Sequence, residues 1–296
     1  MQRIRPFSYF NAETVADAVG ILAAEGEGAY ALAGGTDLLV QMKSGTLRPR
    51  ALVNLKHIAS LNAITLAGNG DLRIGALVAL STIERSPVVR ESHAVLAEAA
   101  GSMASPSIRN MATIGGNIGR ASPASDMAPS LIVLGARVLA EGALKKREVA
   151  VEDFCTAPGK TVLKAGELIT EFVVPAMSRA AGAVYMRSGR RDGMDCTLAG
   201  VAVHLVLAND GAIKDARIAL SAVAAIPTRA ARAEQILRSG RLTDALMKEA
   251  AHAAAADDAC PISDVRASDS YRRSLVEVLT YRGLARALER AKGAAA

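Results

Sequence analysis

Tryptophan is absent from this 296-residue chain, and four phenylalanines with five tyrosines bring aromatics to only 3%. Leucine, valine, isoleucine and alanine must fill the interior, and with 51% apolar residues the chain is globular and not disordered. Basic residues outnumber acidic ones to a net charge of +6, but they are scattered and not interleaved with aromatics. A nucleic-acid groove needs a basic stripe or a stacking platform, so no nucleic-acid partner is expected. Cysteine is scarce too. Cys155, Cys196 and Cys260 lie far apart with no C-x-x-C, which excludes a disulfide framework and a four-cysteine iron–sulfur site. The histidines, His57, His93, His204 and His252, show no H-x-x-x-H and no cysteine partner, so no metal site is assigned. His204 lies in an apolar run and reads as a hydrogen-bonded core residue. No apolar run reaches the length of a membrane span; Leu131 to Leu139 is interrupted by Arg137. The charged start, Met1 to Pro6, has no apolar segment behind it, and a cytoplasmic protein is expected. No Ser-His-Asp or Cys-His pairing stands out, so no catalytic residue is assigned.

What the chain does have is paired glycines after apolar runs. Ala33-Gly34-Gly35-Thr36-Asp37 follows Tyr30 to Leu32, and Thr113-Ile114-Gly115-Gly116-Asn117 comes about eighty residues later. Without a Cβ, paired glycines let backbone N–H groups approach a ligand closely. Successive N–H groups in such a turn form a concave, weakly positive nest suited to a phosphate oxygen. Two nests from distant parts of the chain would suit a dinucleotide pyrophosphate. Neither stretch is G-x-G-x-x-G or a P-loop, and Gly-Gly after a strand also serves as a plain turn. Spacing alone leaves both readings open.

The length accommodates two domains. The pattern predicts a helix carrying Val15, Val19 and Leu22, capped by Asn11 or Thr14. A strand through Ala31 leads into the first glycine loop, and a short helix over Leu38 to Met42 turns its N-terminus back toward it. A second strand, Ala51 to Leu55, closes a small α+β unit near residue 57. A hairpin follows across Gly68-Asn69-Gly70-Asp71, with strands Ile64–Leu66 and Leu72–Ile74. Helical periodicity runs from Thr82 to Ala100, and Asp126 to Leu134 reads as helix. Arg137–Ala140, Arg147–Val151 and Leu168–Val174 read as strands. After a small-residue linker, Met177 to Gly182, three strands are predicted over 183–186, 197–207 and 216–223, the last two joined through Asn209-Asp210-Gly211. Helical patterns over 229–237, 243–256 and 270–289 complete an α+β chain.

The run Thr113-Ile-Gly-Gly-Asn-Ile-Gly-Arg-Ala-Ser-Pro-Ala-Ser-Asp126-Met-Ala-Pro129, with the earlier AGGTDLL, closely resembles the FAD-binding subunit of molybdenum hydroxylases. That family includes the flavin domain of xanthine dehydrogenase and the medium subunit of aerobic carbon monoxide dehydrogenase. The likeness continues through Gly166-Glu-Leu-Ile-Thr-Glu-Phe-Val-Val-Pro175, Tyr185-Met-Arg187 with Arg191 and Asp195, and the closing Asp269-Ser-Tyr-Arg-Arg-Ser-Leu-Val-Glu-Val-Leu, so it covers nearly the whole chain. It implies a two-part, PCMH-type FAD-binding domain over residues 1–177, with subparts of about 1–57 and 58–177. A smaller C-terminal domain over 178–296, like that of the carbon monoxide dehydrogenase flavoprotein, would hold a three-stranded antiparallel sheet and helices.

By this resemblance Gly34, Gly35 and Thr36, with Leu32, Ala33, Asp37 and Leu38 around them, bind the FAD pyrophosphate from one side, and Thr113, Gly116 and Asn117 from the other. Asp37 puts a negative charge near the phosphates, and its side chain is expected to cap the following helix. Asp126 is placed to accept from ribityl or adenosine hydroxyls; without the motif it would read as a helix cap. Met103 and Ala104 fall where the family packs on the cofactor. Ile169 and Thr170 lie in the strand passing the flavin ring, with ordinary core the competing reading for Ile169. Arg187 lies near where xanthine dehydrogenase has a lysine beside the ring, and otherwise reads as a surface arginine. Cys196 stands where some relatives carry a flavin-shielding tyrosine. No Gly-His follows the first loop, so non-covalent FAD is expected.

The implied function is that of the medium subunit of a molybdenum hydroxylase complex. A large subunit would hold molybdenum-pterin and a small one two [2Fe–2S] clusters, in a dimer of heterotrimers. FAD would pass electrons to an external acceptor. Too few cysteines are present for the extra iron–sulfur loop of the 4-hydroxybenzoyl-CoA reductase flavoprotein. The competing readings are a stand-alone FAD-dependent oxidoreductase, for which the C-terminal part lacks a catalytic constellation, and a flavin-free assembly scaffold, against which the intact glycine loops and Asp126 argue.

Overall fold

The structure, a computed structural model, describes residues 4–191, 193–238 and 240–295. Its first unit is β1 (Ser8–Asn11), α1 (Val15–Glu25), β2 (Ala29–Leu32), α2 (Leu38–Ser44) and β3 (Ala51–Asn54). The strands form a parallel sheet in the order β1-β3-β2, with Leu52 registered between Tyr9 and Tyr30. Of the two candidate caps for α1, Thr14 acts. Its hydroxyl accepts from the Asp17 N–H at 3.1 Å and the Asp17 carboxylate accepts from the Thr14 N–H at 3.0 Å, a reciprocal capping box. Val19 and Leu22 bury against Val53 and Leu55 on one face of the sheet. Met42 of α2 packs with Leu32 and Leu52 on the other.

The second unit is a sheet ordered β4-β5-β10-β6-β7, from β4 (Ile64–Leu66), β5 (Leu72–Gly75), β6 (Arg137–Glu141), β7 (Lys146–Ala150) and β10 (Leu168–Val174). A small ribbon, β8 (Cys155–Ala157) and β9 (Lys160–Thr161), precedes β10. Between β5 and β6 the chain makes α3 (Leu80–Arg85), α4 (Pro87–Ser92), α5 (Ala94–Ser102), α6 (Pro106–Arg109), α7 (Ile114–Gly119) and α8 (Met127–Val133). The continuous helix expected from Thr82 to Ala100 is thus three helices. Pro87 has no N–H to continue α3 and holds Ser86 in an extended conformation, φ −60° and ψ 120°, from which Ser86 caps α4. A second break falls at His93, whose φ of −145° leaves the helical region.

The last unit contains β11 (Ala181–Ser188), β12 (Ala199–Leu207), β13 (Ile213–Ser221), β14 (Thr228–Arg229), α9 (Ala231–Leu237), α10 (Asp244–Ala253) and α11 (Asp269–Ala295). Its antiparallel sheet runs β11-β12-β13-β14. The two-residue β14 extends the three strands expected from the sequence and takes Arg229 from the predicted helix, which begins at Ala231. Strand β12 is buried along nearly its whole length, because the sheet is covered twice. Val201, Val203 and Leu205 face a core shared with Val276, Leu284 and Ala287 of α11. Ala202, Ala219 and Tyr185 join the core built by α5 and α8. A strand covered on both faces reads as a near-continuous apolar run, as this one does.

Two features seal the contact between these layers. A Cβ on Gly182 would lie 2.0 Å from the Ala287 carbonyl oxygen, so only glycine lets α11 lie this close to β11. Glu98 of α5 pairs with Arg290 of α11, and Arg290 also donates to the Ala183 carbonyl at 2.6 Å. His204, on the strand face turned toward α8, departs from expectation: its Nδ1 is buried without a partner among the described residues. Burial holds this ring neutral, pushing its pKa down to about 4.

Candidate functional site

The first glycine loop leaves the C-terminal end of β2. Among the described residues nothing accepts a hydrogen bond from the backbone N–H of Gly34, Gly35, Thr36 or Asp37. Gly35 has φ +75°, which turns the chain in the left-handed region at no Cβ cost. Gly34 has a different reason to be glycine. A Cβ there would lie 2.0 Å from the Met111 carbonyl oxygen and 3.1 Å from Ala112 Cα, so the loop is seated on the backbone just before the second glycine stretch. Leu32 is buried beneath the loop, and Ala33 and Leu38 are half-buried beside it.

Asp37 stands at the N-cap of α2 but makes no side-chain cap bond, contrary to expectation. Its carboxylate instead pairs with Arg120, just past α7, and accepts from Gln41 Nε2. The ion pair ties the two glycine stretches together and offsets the negative charge of Asp37. Arg120 was not picked from the sequence, since nothing local links it to a residue 83 positions earlier.

The second stretch is a helix start, not an open loop. Thr113 caps α7, its hydroxyl accepting from the Gly116 N–H at 3.0 Å. The N–H groups of Ile114, Gly115 and Asn117 go to Val78, Ala76 and Thr113 carbonyls. A second nest of free N–H groups, as the sequence suggested for Gly116 and Asn117, is therefore absent. What this stretch offers is the Thr113 hydroxyl proton, an exposed Gly116, and the Asn117 side chain. Asn117 is itself held: Nδ2 donates to Met103 sulfur at 3.3 Å and Oδ1 accepts from Ser125 at 2.6 Å. Ala104, beside Met103, has φ +45°, rare for a residue with a side chain.

Asp126 does not cap α8; the Ser125 hydroxyl does, accepting from the Ala128 N–H at 3.2 Å. The Asp126 carboxylate, 6% exposed, turns to the C-terminal sheet. Its Oδ1 accepts from the Tyr185 hydroxyl at 2.7 Å and the Thr197 hydroxyl at 2.6 Å, with Arg187 Nε at 4.0 Å. Burial pushes its pKa up, and the hydrogen bonds from Thr197 and Tyr185 and the charge of Arg187 oppose that rise. Burial and the adjacent carboxylate push the Tyr185 phenol well above its ordinary value, so it stays a donor. Oδ2 of Asp126 accepts nothing from the described residues.

Arg187 is not a surface arginine. Its guanidinium is largely buried and donates to the Ser102 and Asp195 carbonyls. Ile169 is core, packed beside Gly119 of α7, whereas Thr170 sits at a bulge in β10 with its hydroxyl 3.3 Å from the Leu139 carbonyl. Cys196 is exposed, next to Asp195. Among the described residues no group of His, Cys, Asp and Glu gathers as metal ligands, and no helix is long and apolar enough to cross a membrane. A cleft of about 270 Å³ lined by Arg5, Met42 and Arg48 lies at the opposite end of the parallel sheet and touches none of these groups.

The arrangement suits a ligand with a phosphate end and a hydroxyl-bearing chain: free N–H groups on the first loop, the Thr113 hydroxyl just after the backbone on which that loop is seated, and the Asp126 carboxylate with one oxygen open. Comparison with known proteins gives the class. Residues 5–177 match the FAD binding domain in molybdopterin dehydrogenase, and residues 183–287 match the CO dehydrogenase flavoprotein C-terminal domain. The chain is 34% identical over 287 residues, 97% of each protein, to the putative xanthine dehydrogenase FAD-binding subunit of Escherichia coli. It superposes on a chain of carbon monoxide dehydrogenase from Hydrogenophaga pseudoflava with a TM-score of 0.93 at 32% identity, covering 98% of this chain and 99% of that one. On a chain of quinoline 2-oxidoreductase from Pseudomonas putida the TM-score is 0.90 at 27% identity, with 99% of both chains covered. The protein belongs to the family of FAD-binding subunits of molybdenum hydroxylases.

Proposed function

We propose that this chain is the flavoprotein subunit of a cytoplasmic molybdenum hydroxylase, with an FAD-binding domain over residues 1–177 and a C-terminal domain over 178–296. The observation that carries the reading is a pair of complementary features: four loop N–H groups with no acceptor among the described residues, and a buried Asp126 with one carboxylate oxygen left open. A pyrophosphate accepts from such N–H groups, and a sugar-alcohol hydroxyl donates to such a carboxylate oxygen. Gly34, Gly35, Thr36 and Asp37 hold the phosphates through their backbone, with the Thr113 hydroxyl donating from the facing side. Arg120 offsets the charge of Asp37. Asn117, fixed by Ser125 and Met103, and Met103 with Ala104 line the cofactor, and Leu32, Ala33 and Leu38 support the loop. Asp126 accepts from a hydroxyl, Ile169 and Thr170 back the flavin, and Arg187 brings a cation toward it.

Bound FAD supplies both one- and two-electron redox chemistry, which joins one-electron iron–sulfur donors to an external acceptor. The protein's part is to position the cofactor non-covalently, exclude water from its buried side and set the charge around it. The partners are a large molybdenum-pterin subunit, which holds the substrate pocket, and a small [2Fe–2S] subunit, assembled as a dimer of heterotrimers. Expression of the chain and its visible spectrum test the reading. Flavin absorption, with FAD and not FMN released on heating, is the expected result. A colourless protein that neither FAD nor the partner subunits turn yellow would leave only the scaffold reading.

A further inference from the structure

The Asp126 carboxylate joins the two halves of the chain. It belongs to the stretch that follows the second glycine pair, yet its hydrogen-bond donors come from the C-terminal sheet, 59 and 71 residues later. Both hydroxyls converge on the same oxygen, Oδ1, so rotation of the carboxylate about its own axis would break two charge-assisted bonds together. Oδ2 thereby keeps a fixed direction and an unoccupied pair of acceptor sites.

The surrounding packing is built for this contact. Gly200 on β12 has no room for a side chain: a Cβ would lie 2.7 Å from the Tyr185 hydroxyl oxygen and 2.4 Å from Ser221 Oγ. The Tyr185 ring is buried in the core shared by α5, α8 and the sheet, which sets its hydroxyl at Asp126. Arg187, two residues on along the same strand, adds a positive charge at 4.0 Å while its other donors stay on main-chain carbonyls. An anion this buried persists only where such donors and charge offset lost hydration.

We propose that Tyr185 and Thr197 are positioning residues for the cofactor. They hold Asp126 in the one orientation in which Oδ2 accepts from a hydroxyl of bound FAD, which makes the C-terminal domain a working part of the cofactor site. The proposal rests on the FAD reading above. It also implies reciprocity: FAD binding strengthens the contact between the two halves by the same factor that the contact strengthens FAD binding.

The test is FAD titration of the full chain, followed by flavin fluorescence, for wild type, Tyr185→Phe, Thr197→Val, the double variant, Asp126→Asn and the triple variant. Thermal midpoints are recorded alongside. Each hydroxyl removed is expected to weaken FAD binding about tenfold, the order of a hydrogen bond to a charged group. Once Asp126 is Asn, removing the hydroxyls is expected to cost much less, because they act through the carboxylate. In a pH series, wild-type affinity falls as Asp126 gains its proton at low pH. In the double variant that midpoint moves to higher pH, since two donors that favour the charged form are gone while Arg187 remains. Lower thermal midpoints with an unmoved pH midpoint and additive losses would mean that Tyr185 and Thr197 are merely structural, and would overturn the proposal. Unchanged affinity in the double variant, with FAD bound by wild type, overturns this inference alone. Failure of wild type, with its partner subunits present, to bind FAD removes the underlying reading as well.

Discussion

Replacing Gly34 with alanine separates the two meanings of a glycine in this site. The added Cβ would lie 2.0 Å from the Met111 carbonyl oxygen, 2.7 Å from its carbon and 3.1 Å from Ala112 Cα. Relieving the first contact needs a movement of about 1 Å or more, judged against ordinary non-bonded separations. The Met111–Ala112 backbone resists it, being tied by Met111 and Ala112 N–H groups to the Ile108 carbonyl and by the Ala112 carbonyl to Leu80 at 2.9 Å. The glycine loop is held less firmly, its own N–H groups having no acceptor among the described residues, so the loop moves. Overpacking costs about 1–3 kcal/mol, which as lost binding is roughly fivefold to 150-fold in the FAD dissociation constant. Gly116→Ala is the control. Its Cβ would meet the Thr113 hydroxyl at 3.0 Å and no backbone atom, a milder contact than the one at Gly34. That variant is expected to lose less FAD affinity than Gly34→Ala. Titrating both variants with FAD, with circular dichroism to confirm folding, decides the matter. Wild-type affinity in Gly34→Ala, or a larger loss in Gly116→Ala, would refute the reasoning.

Arg120→Ala is expected to weaken FAD binding severalfold by leaving Asp37 uncompensated, a modest effect because both side chains are about half exposed. Adding Asp37→Asn should restore most of it, and equilibrium titration at low salt reads the difference. His204 has a folded pKa of about 4 against 6.5 unfolded, so the unfolded chain binds more protons between these values. Stability is therefore lost as pH falls from 6.5 toward 4, by about 3 kcal/mol from this residue. His93, buried and shifted the same way, adds to the loss. His204→Leu is expected to flatten that slope in urea unfolding at a series of pH values, with little change at pH 7 because Nδ1 has no partner to lose. Gly182→Ala, with its Cβ 2.0 Å from the Ala287 carbonyl and 2.7 Å from the Ala291 nitrogen, should lift α11 from the sheet and lower the thermal midpoint by several degrees.

Local chemistry was legible from the residues alone. Glycine pairs marked the loops, the Gly68 to Asp71 segment marked its hairpin, and β-prone apolar runs marked β10, β12 and β13. The Ser86-Pro87 break in the long helical pattern was also a local signal, one that the apolar periodicity outweighed. The family motif singled out Asp126 but not what Asp126 touches.

Tertiary structure decided the rest, for a physical reason. A hydrogen bond between residues 59 or 71 positions apart leaves no period and no spacing in the chain, so Tyr185 and Thr197 could not be read as partners of Asp126. The same holds for Arg120 beside Asp37 and for the two-sided burial of the C-terminal sheet. Nor could the sequence say which glycine N–H groups were free. Both stretches carry Gly-Gly, but one ends in N–H groups without acceptors while the other spends its own on Val78, Ala76 and Thr113. Residue types determined which groups could meet a cofactor; the folded chain determined which remained open to do so.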